Sequence, residues 1–134
     1  MTSILIVTHG EMGNALLSTL GMILGATEGV AAVTLKPEDS LETLQSAVEE
    51  RIRSLDPKGE GALVLVDMLG GTPFNCAMQM TEGRPLRVIT GVNLPMLFKA
   101  VSHRGRTDLD GLARDVQQAA RASILTSVEL LKKD

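Results

Sequence analysis

Ser3-Ile4-Leu5-Ile6-Val7-Thr8-His9-Gly10-Glu11-Met12-Gly13-Asn14-Ala15 is the stretch on which the fold turns. Four consecutive apolar residues, Ile4 to Val7, run into Thr8-His9-Gly10, and helical spacing begins at once. A run that is apolar at every position suits a strand covered on both faces rather than one alternating between core and water. His9 therefore stands where a buried strand ends and a glycine turn opens a helix. In open α/β sheets, that carboxyl end of a strand is where ligands are held.

The same grammar repeats downstream. Residues 3–8 read as a strand and about 11–24 as a helix, with Ala15, Leu16, Leu20, Ile23 and Leu24 as its apolar stripe and Gly25 as its stop. Val30 to Leu35 is a second buried strand. Asp39, three residues before Glu42, predicts a capping box for a helix reaching Leu55, with Leu41, Leu44, Val48, Ile52 and Leu55 inward. Glu49, Glu50, Arg51 and Arg53 form its solvated face.

Ala62 to Val66 is the third strand and ends at Asp67. In the following Gly70-Gly71-Thr72-Pro73, Thr72 is placed as a cap and Pro73 as the first residue of a helix reaching Met80. Leu86 to Thr90 is the fourth strand, and Gly91-Val92-Asn93-Leu94-Pro95 starts a helix that reaches about His103. A further helix begins near Asp108, carrying Leu109, Leu112, Val116, Ala119 and Ala120. Residues 123–130 fit a helix tail and a β-branched edge strand equally well.

Four strands alternating with helices imply a three-layer α/β domain, a doubly wound and mainly parallel sheet with right-handed crossovers. The expected order is 2-1-3-4, which puts the switch point between the first and third strands. That order sets His9 beside Asp67, each at the end of its own strand.

Composition bounds the function. With 134 residues, 44% hydrophobic and 22% charged, the chain reads as one globular domain, taken as 1–134. A net charge of -3, no Trp or Tyr and only 2 Phe give no basic or stacking surface for nucleic acid. The single cysteine, Cys76, excludes an internal disulfide and a Cys-rich metal site. Two histidines are few for a metal centre, and His103 is read as a solvated residue at a helix end. Met12, Met22, Met78 and Met80 fall at helical spacing and read as core filler. The apolar run at residues 3–7 is too short for a signal peptide or a membrane span, so a cytoplasmic protein without direct membrane insertion is expected.

The chemistry is expected from three loops on one rim. An aspartate bonded to one imidazole nitrogen fixes the tautomer and leaves the other nitrogen's lone pair free, which makes His9 a nucleophile or a general base. Backbone amides of Gly10, Glu11, Gly70, Gly71 and Thr72, at two helix starts, favour an anion, and the Thr72 hydroxyl adds a donor. No Lys or Arg stands in these loops, which suits a phosphoryl group held loosely and passed on. Met68, Leu69, Leu94 and Met96 are candidates for an apolar docking rim.

Rival readings fail on particular residues. A receiver domain needs paired acids where this chain has Thr8-His9, and no Walker-type Gly-x4-Gly-Lys loop occurs. Histidine phosphatases carry Arg-His-Gly after their first strand, and the arginine position here is Thr8.

Taken together, Thr8-His9-Gly10, Leu65-Val66-Asp67-Met68-Leu69-Gly70-Gly71-Thr72-Pro73-Phe74-Asn75 and Gly91-Val92-Asn93-Leu94-Pro95-Met96-Leu97 resemble the enzyme IIA component of the mannose-type sugar phosphotransferase system. The resemblance runs through nearly the whole chain. It implies that His9 accepts a phosphoryl group from the phosphocarrier HPr and donates it to a histidine of enzyme IIB. It also implies that Asp67 partners the unphosphorylated ring nitrogen and that the Gly70–Thr72 turn surrounds the phosphoryl group. A homodimer with an exchanged C-terminal antiparallel strand is implied too, which favours a strand over 123–130.

This chain departs from the pattern in three respects. Thr72 stands where serine is common, Leu69 where an aromatic often stands, and residues 1–134 contain neither an Ala/Pro-rich linker nor a IIB domain. No cofactor or metal is expected. The alternatives are the phosphotransfer subunit of a dihydroxyacetone kinase and a regulatory module switched by phosphorylation.

Overall fold

The computed structural model describes residues 1–132, so the last two residues of the expected 1–134 domain lie outside the described part. Its elements are β1 (Ser3–His9), α1 (Met12–Leu24), β2 (Val30–Leu35), α2 (Leu41–Leu55), β3 (Ala62–Val66), α3 (Gly71–Gln79), β4 (Leu86–Thr90), α4 (Leu94–His103), α5 (Leu109–Ala122) and α6 (Ser127–Leu131). The four strands are parallel in the order β2-β1-β3-β4, as the sequence pattern predicts.

Alternation along β1 divides the core in two. Leu5 and Val7 pack with Leu44 and Val48 of α2 and with Cys76 and Ala77 of α3. Ile4 and Ile6 pack on the other face with Leu20 of α1, Met96, Leu97 and Ala100 of α4, and Leu112 and Val116 of α5. Ile4, Leu5, Ile6 and Val7 are all completely buried, which explains why β1 shows no polar alternation. Each such side chain contributes about 1.5–3 kcal/mol through burial. The central strand is thus anchored from both sides up to the residue before Thr8.

Local signals fare differently. Asn93 caps α4 and Asp108 caps α5, at the expected starts of these helices, through side-chain oxygens that accept from Met96 N and Gly111 N at 3.0 and 2.8 Å. The cap of α2 is Ser40, which accepts from Thr43 N, while Asp39 closes the preceding turn by accepting from Lys36 N. The expected capping box at Asp39 is corrected accordingly.

In α3 the expected cap at Thr72 is also corrected. Gly70 is the cap, Gly71 the first helical residue, and Pro73 the third. Gly70 and Gly71 sit at φ +80° and +86°, which lets the helix begin two residues earlier than the threonine signal suggests. Pro73 is still tolerated there, because first-turn amides have no intrahelical acceptor.

The stripe of α1 narrows to Gly13, Leu16, Leu17 and Leu20; Ala15, Ile23 and Leu24 are exposed. Met12, Met22 and Met78 are exposed as well, so of the four methionines assigned to the core only Met80 belongs there. Spacing alone gives a periodic apolar pattern without saying how far the neighbouring element extends to cover it.

The C-terminal strand implied by the resemblance is not formed in this single chain. Residues 127–131 make the short helix α6, capped by Thr126, which accepts from Glu129 N at 3.2 Å. A strand needs a neighbour for its ladder, whereas a helix closes its hydrogen bonds within itself.

Candidate functional site

The sheet order decides the site. Val7 of β1 pairs with Val66 of β3, so His9 and Asp67 emerge next to each other past the last paired residues. The Asp67 carboxylate receives His9 twice: its Oδ2 accepts the backbone amide at 2.9 Å and stands 2.7 Å from ring Nδ1. Its Oδ1 accepts the amide of Met68 at 3.0 Å, which fixes the carboxylate plane. Ring and backbone of His9 are thus tied to one oxygen, and Nδ1 carries the proton in the neutral ring.

Burial raises the Asp67 carboxyl, but the hydrogen bonds from the His9 amide and ring, with the charge of the ring, outweigh it. The carboxyl is held below its ordinary value, so it remains an anion. Its side chain is only 10% exposed, while that of His9 is 48% exposed. The orienting group is sheltered, and the ring it orients faces outward. Among the described residues no protein group hydrogen-bonds Nε2.

The other face of the ring meets α3. A Cβ placed on Gly71 would stand 3.4 Å from His9 Cε1 and 3.8 Å from Nε2. Gly71 is therefore a wall of the imidazole slot as well as a left-handed turn residue. The period-2 rule explains the arrangement: His9 continues the Leu5–Val7 row, which packs toward α2 and α3. The first residue of α3 thus borders the ring, at the end of the helix where the dipole favours negative charge.

The remaining predicted residues divide. Gly10 is corrected as an anion donor: its amide is donated to Leu35 O at 2.9 Å, tying the loop to β2, and there is open space where a Cβ would stand. Thr72 is the second residue of α3, partly buried. Met68 and Leu69 are exposed on this rim at 55% and 73%. Met96 is buried and leaves the proposed docking rim, and Leu94 is half-buried against the α4–α5 core. The Gly91–Asn93 loop is held on β3 by Val92 N, which donates to Val66 O at 3.0 Å.

Cys76, on α3, is buried, and burial pushes its thiol up to about 11, so it is no competing nucleophile. His103 is half-buried rather than solvated, with Nδ1 3.9 Å from Asp115. Among the described residues no cluster of three or more His, Cys, Asp or Glu is placed to hold a metal, and no helix is long and apolar enough to cross a membrane.

Sequence reasoning missed one residue. Thr8, used to exclude rival readings and quoted in the motif but given no role of its own, is fully buried, and its Oγ1 accepts Gly13 N at 2.8 Å. The available signal was a hydroxyl continuing the Ile4–Ile6 row, five residues before a glycine.

Fold and rim together define a doubly wound α/β domain that displays a carboxylate-held histidine at its switch point. The family model of the PTS system fructose IIA component, EIIA-man, matches residues 3–117. The chain belongs to this family, whose members are phosphotransferase components of sugar phosphotransferase systems, and at that level it is a phosphoryl carrier. It is 31% identical to the PTS system fructose-specific EIIA component of Bacillus subtilis, over 99% of this chain and 91% of that protein. It is 38% identical to the PTS system mannose-specific EIIAB component of Escherichia coli over 76% of this chain, spanning only 32% of that longer protein.

Solved structures agree. A phosphotransferase system component EIIA from Streptococcus agalactiae superposes with a TM-score of 0.87 at 29% identity, covering 96% of this chain and 99% of the other. A mannose/sorbose specific IIA subunit from Enterococcus faecalis gives 0.84 at 30% identity, with 93% of each chain covered.

Proposed function

We propose that His9 is the residue that carries the phosphoryl group, taking it from phospho-HPr and giving it to a histidine of enzyme IIB. The carrying observation is the division of labour on the ring: Nδ1 lies 2.7 Å from an anionic Asp67, while Nε2 of the half-exposed side chain has no hydrogen-bond partner among the described residues.

The step balances without a cofactor. The Nε2 lone pair attacks phosphorus as the bond from phosphorus to the donor's ring nitrogen breaks in line, and the electron pair stays on the donor ring. The His9 ring becomes cationic while Nδ1–H is retained, and Asp67 stabilises that charge. The second transfer reverses the roles, with His9 as leaving group. Gly70, Gly71 and Thr72 supply neutral amide and hydroxyl donors around the phosphoryl oxygens, while Gly10, whose amide is taken by Leu35 O, shapes the turn beside them, so the group is held without being trapped. The exposure of His9, Met68 and Leu69 supports protein donors and acceptors, which must bring their own histidine within reach.

We assign the chain, over 1–134, as one enzyme IIA domain acting as a homodimer. The open edge of β4 and the exposed Ile124, Leu125, Val128, Leu130 and Leu131 support a C-terminal segment that pairs across two copies. Light scattering of the purified chain tests this directly, and a monomer at micromolar concentration overturns it.

Incubation with phospho-HPr tests the carrier assignment. The expected result is one acid-labile phosphate per chain, absent in His9→Ala and discharged by enzyme IIB. Equal labelling of His9→Ala refutes it.

A further inference from the structure

We propose that Thr8 is a positioning residue of this site, whose buried hydroxyl sets the backbone from which the His9 ring is aimed. The inference rests on the carrier reading of His9 and adds to it the device that holds the ring in place.

Thr8 Oγ1 is completely buried and accepts the amide of Gly13, the second helical residue of α1, at 2.8 Å. A helix start ordinarily has this amide satisfied by the side chain of its own cap residue. Here the cap is Glu11, whose side chain makes no such bond, and the acceptor comes from the adjacent strand instead. The substitution of one acceptor for the other closes a loop: His9, Gly10, Glu11 and Met12 lie between the two ends of a buried hydrogen bond.

The fit around that bond is close. A Cβ on Gly13 would stand 3.2 Å from Thr8 Oγ1, 3.3 Å from Ile6 Cγ2 and 3.5 Å from Ala32 Cβ. Glycine is what lets α1 press onto β1 and β2 at this point. The loop is then fixed to three strands, through Thr8 on β1, Gly10 N to Leu35 O on β2, and His9 N to Asp67 after β3.

The consequence for chemistry follows from the shared acceptor. Amide and ring of His9 both use Asp67 Oδ2, so a small rotation of the His9 backbone lengthens one contact to keep the other. Thr8 faces α1 while His9 faces α3, so the hydroxyl acts on the ring through the backbone alone.

The test compares Thr8→Val, which keeps the shape and removes the acceptor, with Thr8→Ser, which keeps the acceptor. Two quantities are read: transfer from phospho-HPr against donor concentration, and the 15N resonances of the His9 ring. Thr8→Val is expected to lower kcat about tenfold with KM changed by less than about twofold, because misplacement of a reacting group acts on the chemical step. Its ring signals shift from a single Nδ1–H tautomer toward a mixture, and Thr8→Ser restores both readouts.

Wild-type ring signals in a folded Thr8→Val overturn the proposal, even if its kcat falls. Should Thr8→Val not fold, Gly13→Ala decides, since it keeps the hydroxyl but pushes α1 away from it: displaced ring signals support the proposal and unmoved ones refute it. The ring spectra need no phosphate. A wild-type chain that accepts none from phospho-HPr refutes the carrier reading, while the spectra still judge Thr8.

Discussion

Replacing Asp67 by asparagine removes one charge and little volume, and the size of its effect follows from the pair's surroundings. Two unit charges about 4 Å apart attract by about 1 kcal/mol in water and about 4 kcal/mol at the effective dielectric of a protein surface. Asp67 is sheltered at 10% exposure while His9 is 48% exposed, so the pair lies between those limits. We take about 2–3 kcal/mol for the charge that forms on the ring during transfer. At 1.36 kcal/mol per decade this slows transfer about 30- to 150-fold. The asparagine amide group also faces either Met68 N–H or His9 N–H as a second donor, which costs about 1–3 kcal/mol of stability.

Rapid-quench measurement of phosphoryl transfer from phospho-HPr, with circular dichroism to confirm folding, reads both effects. A folded Asp67→Asn that transfers within about twofold of the wild-type rate refutes the charge argument. The pH dependence carries the same signature. Because the native carboxyl lies below its ordinary 3.8, its stabilisation is complete above that value and fades as the pH falls through the lowered one. Asp67→Asn is expected to flatten that acid limb of the stability curve, and an unchanged limb contradicts it.

Gly71→Ala combines a left-handed φ of +86° with a Cβ at 3.4 Å from His9 Cε1, so it should lower stability by about 1–2 kcal/mol and also slow transfer. Gly10→Ala, at φ +54° with open space, is expected to show the stability loss with a smaller kinetic effect; equal kinetic losses would remove the slot argument. Leu97→Ala empties a completely buried position and should cost about 2–5 kcal/mol in urea titration, with the transfer rate of the folded fraction unchanged. Arg84→Ala, which breaks a 2.7 Å surface pair with Glu49, should cost at most about 1 kcal/mol, and a larger loss would mean the pair is not the solvated contact seen here.

The continuous apolar runs at Ile4–Val7 and Leu63–Val66 determined a doubly covered parallel sheet, because only burial on both faces makes such runs stable. With the strand order they also placed His9 beside Asp67, since parallel strands end on one rim. The start of α4 was legible because its signal is local: Asn93 follows Gly91, precedes Pro95 and has no competing cap residue beside it. Where several polar residues competed, as at Asp39 and Ser40, or where glycines took left-handed angles, as at Gly70 and Gly71, only the folded backbone chose. The exposure of Met12, Met22 and Met78 and the burial of Met96 were likewise decided by how far neighbouring helices reach. Thr8 shows the limit most plainly: its role is a hydrogen bond between a strand and the next helix, and a pattern along one chain does not fix a distance across two elements.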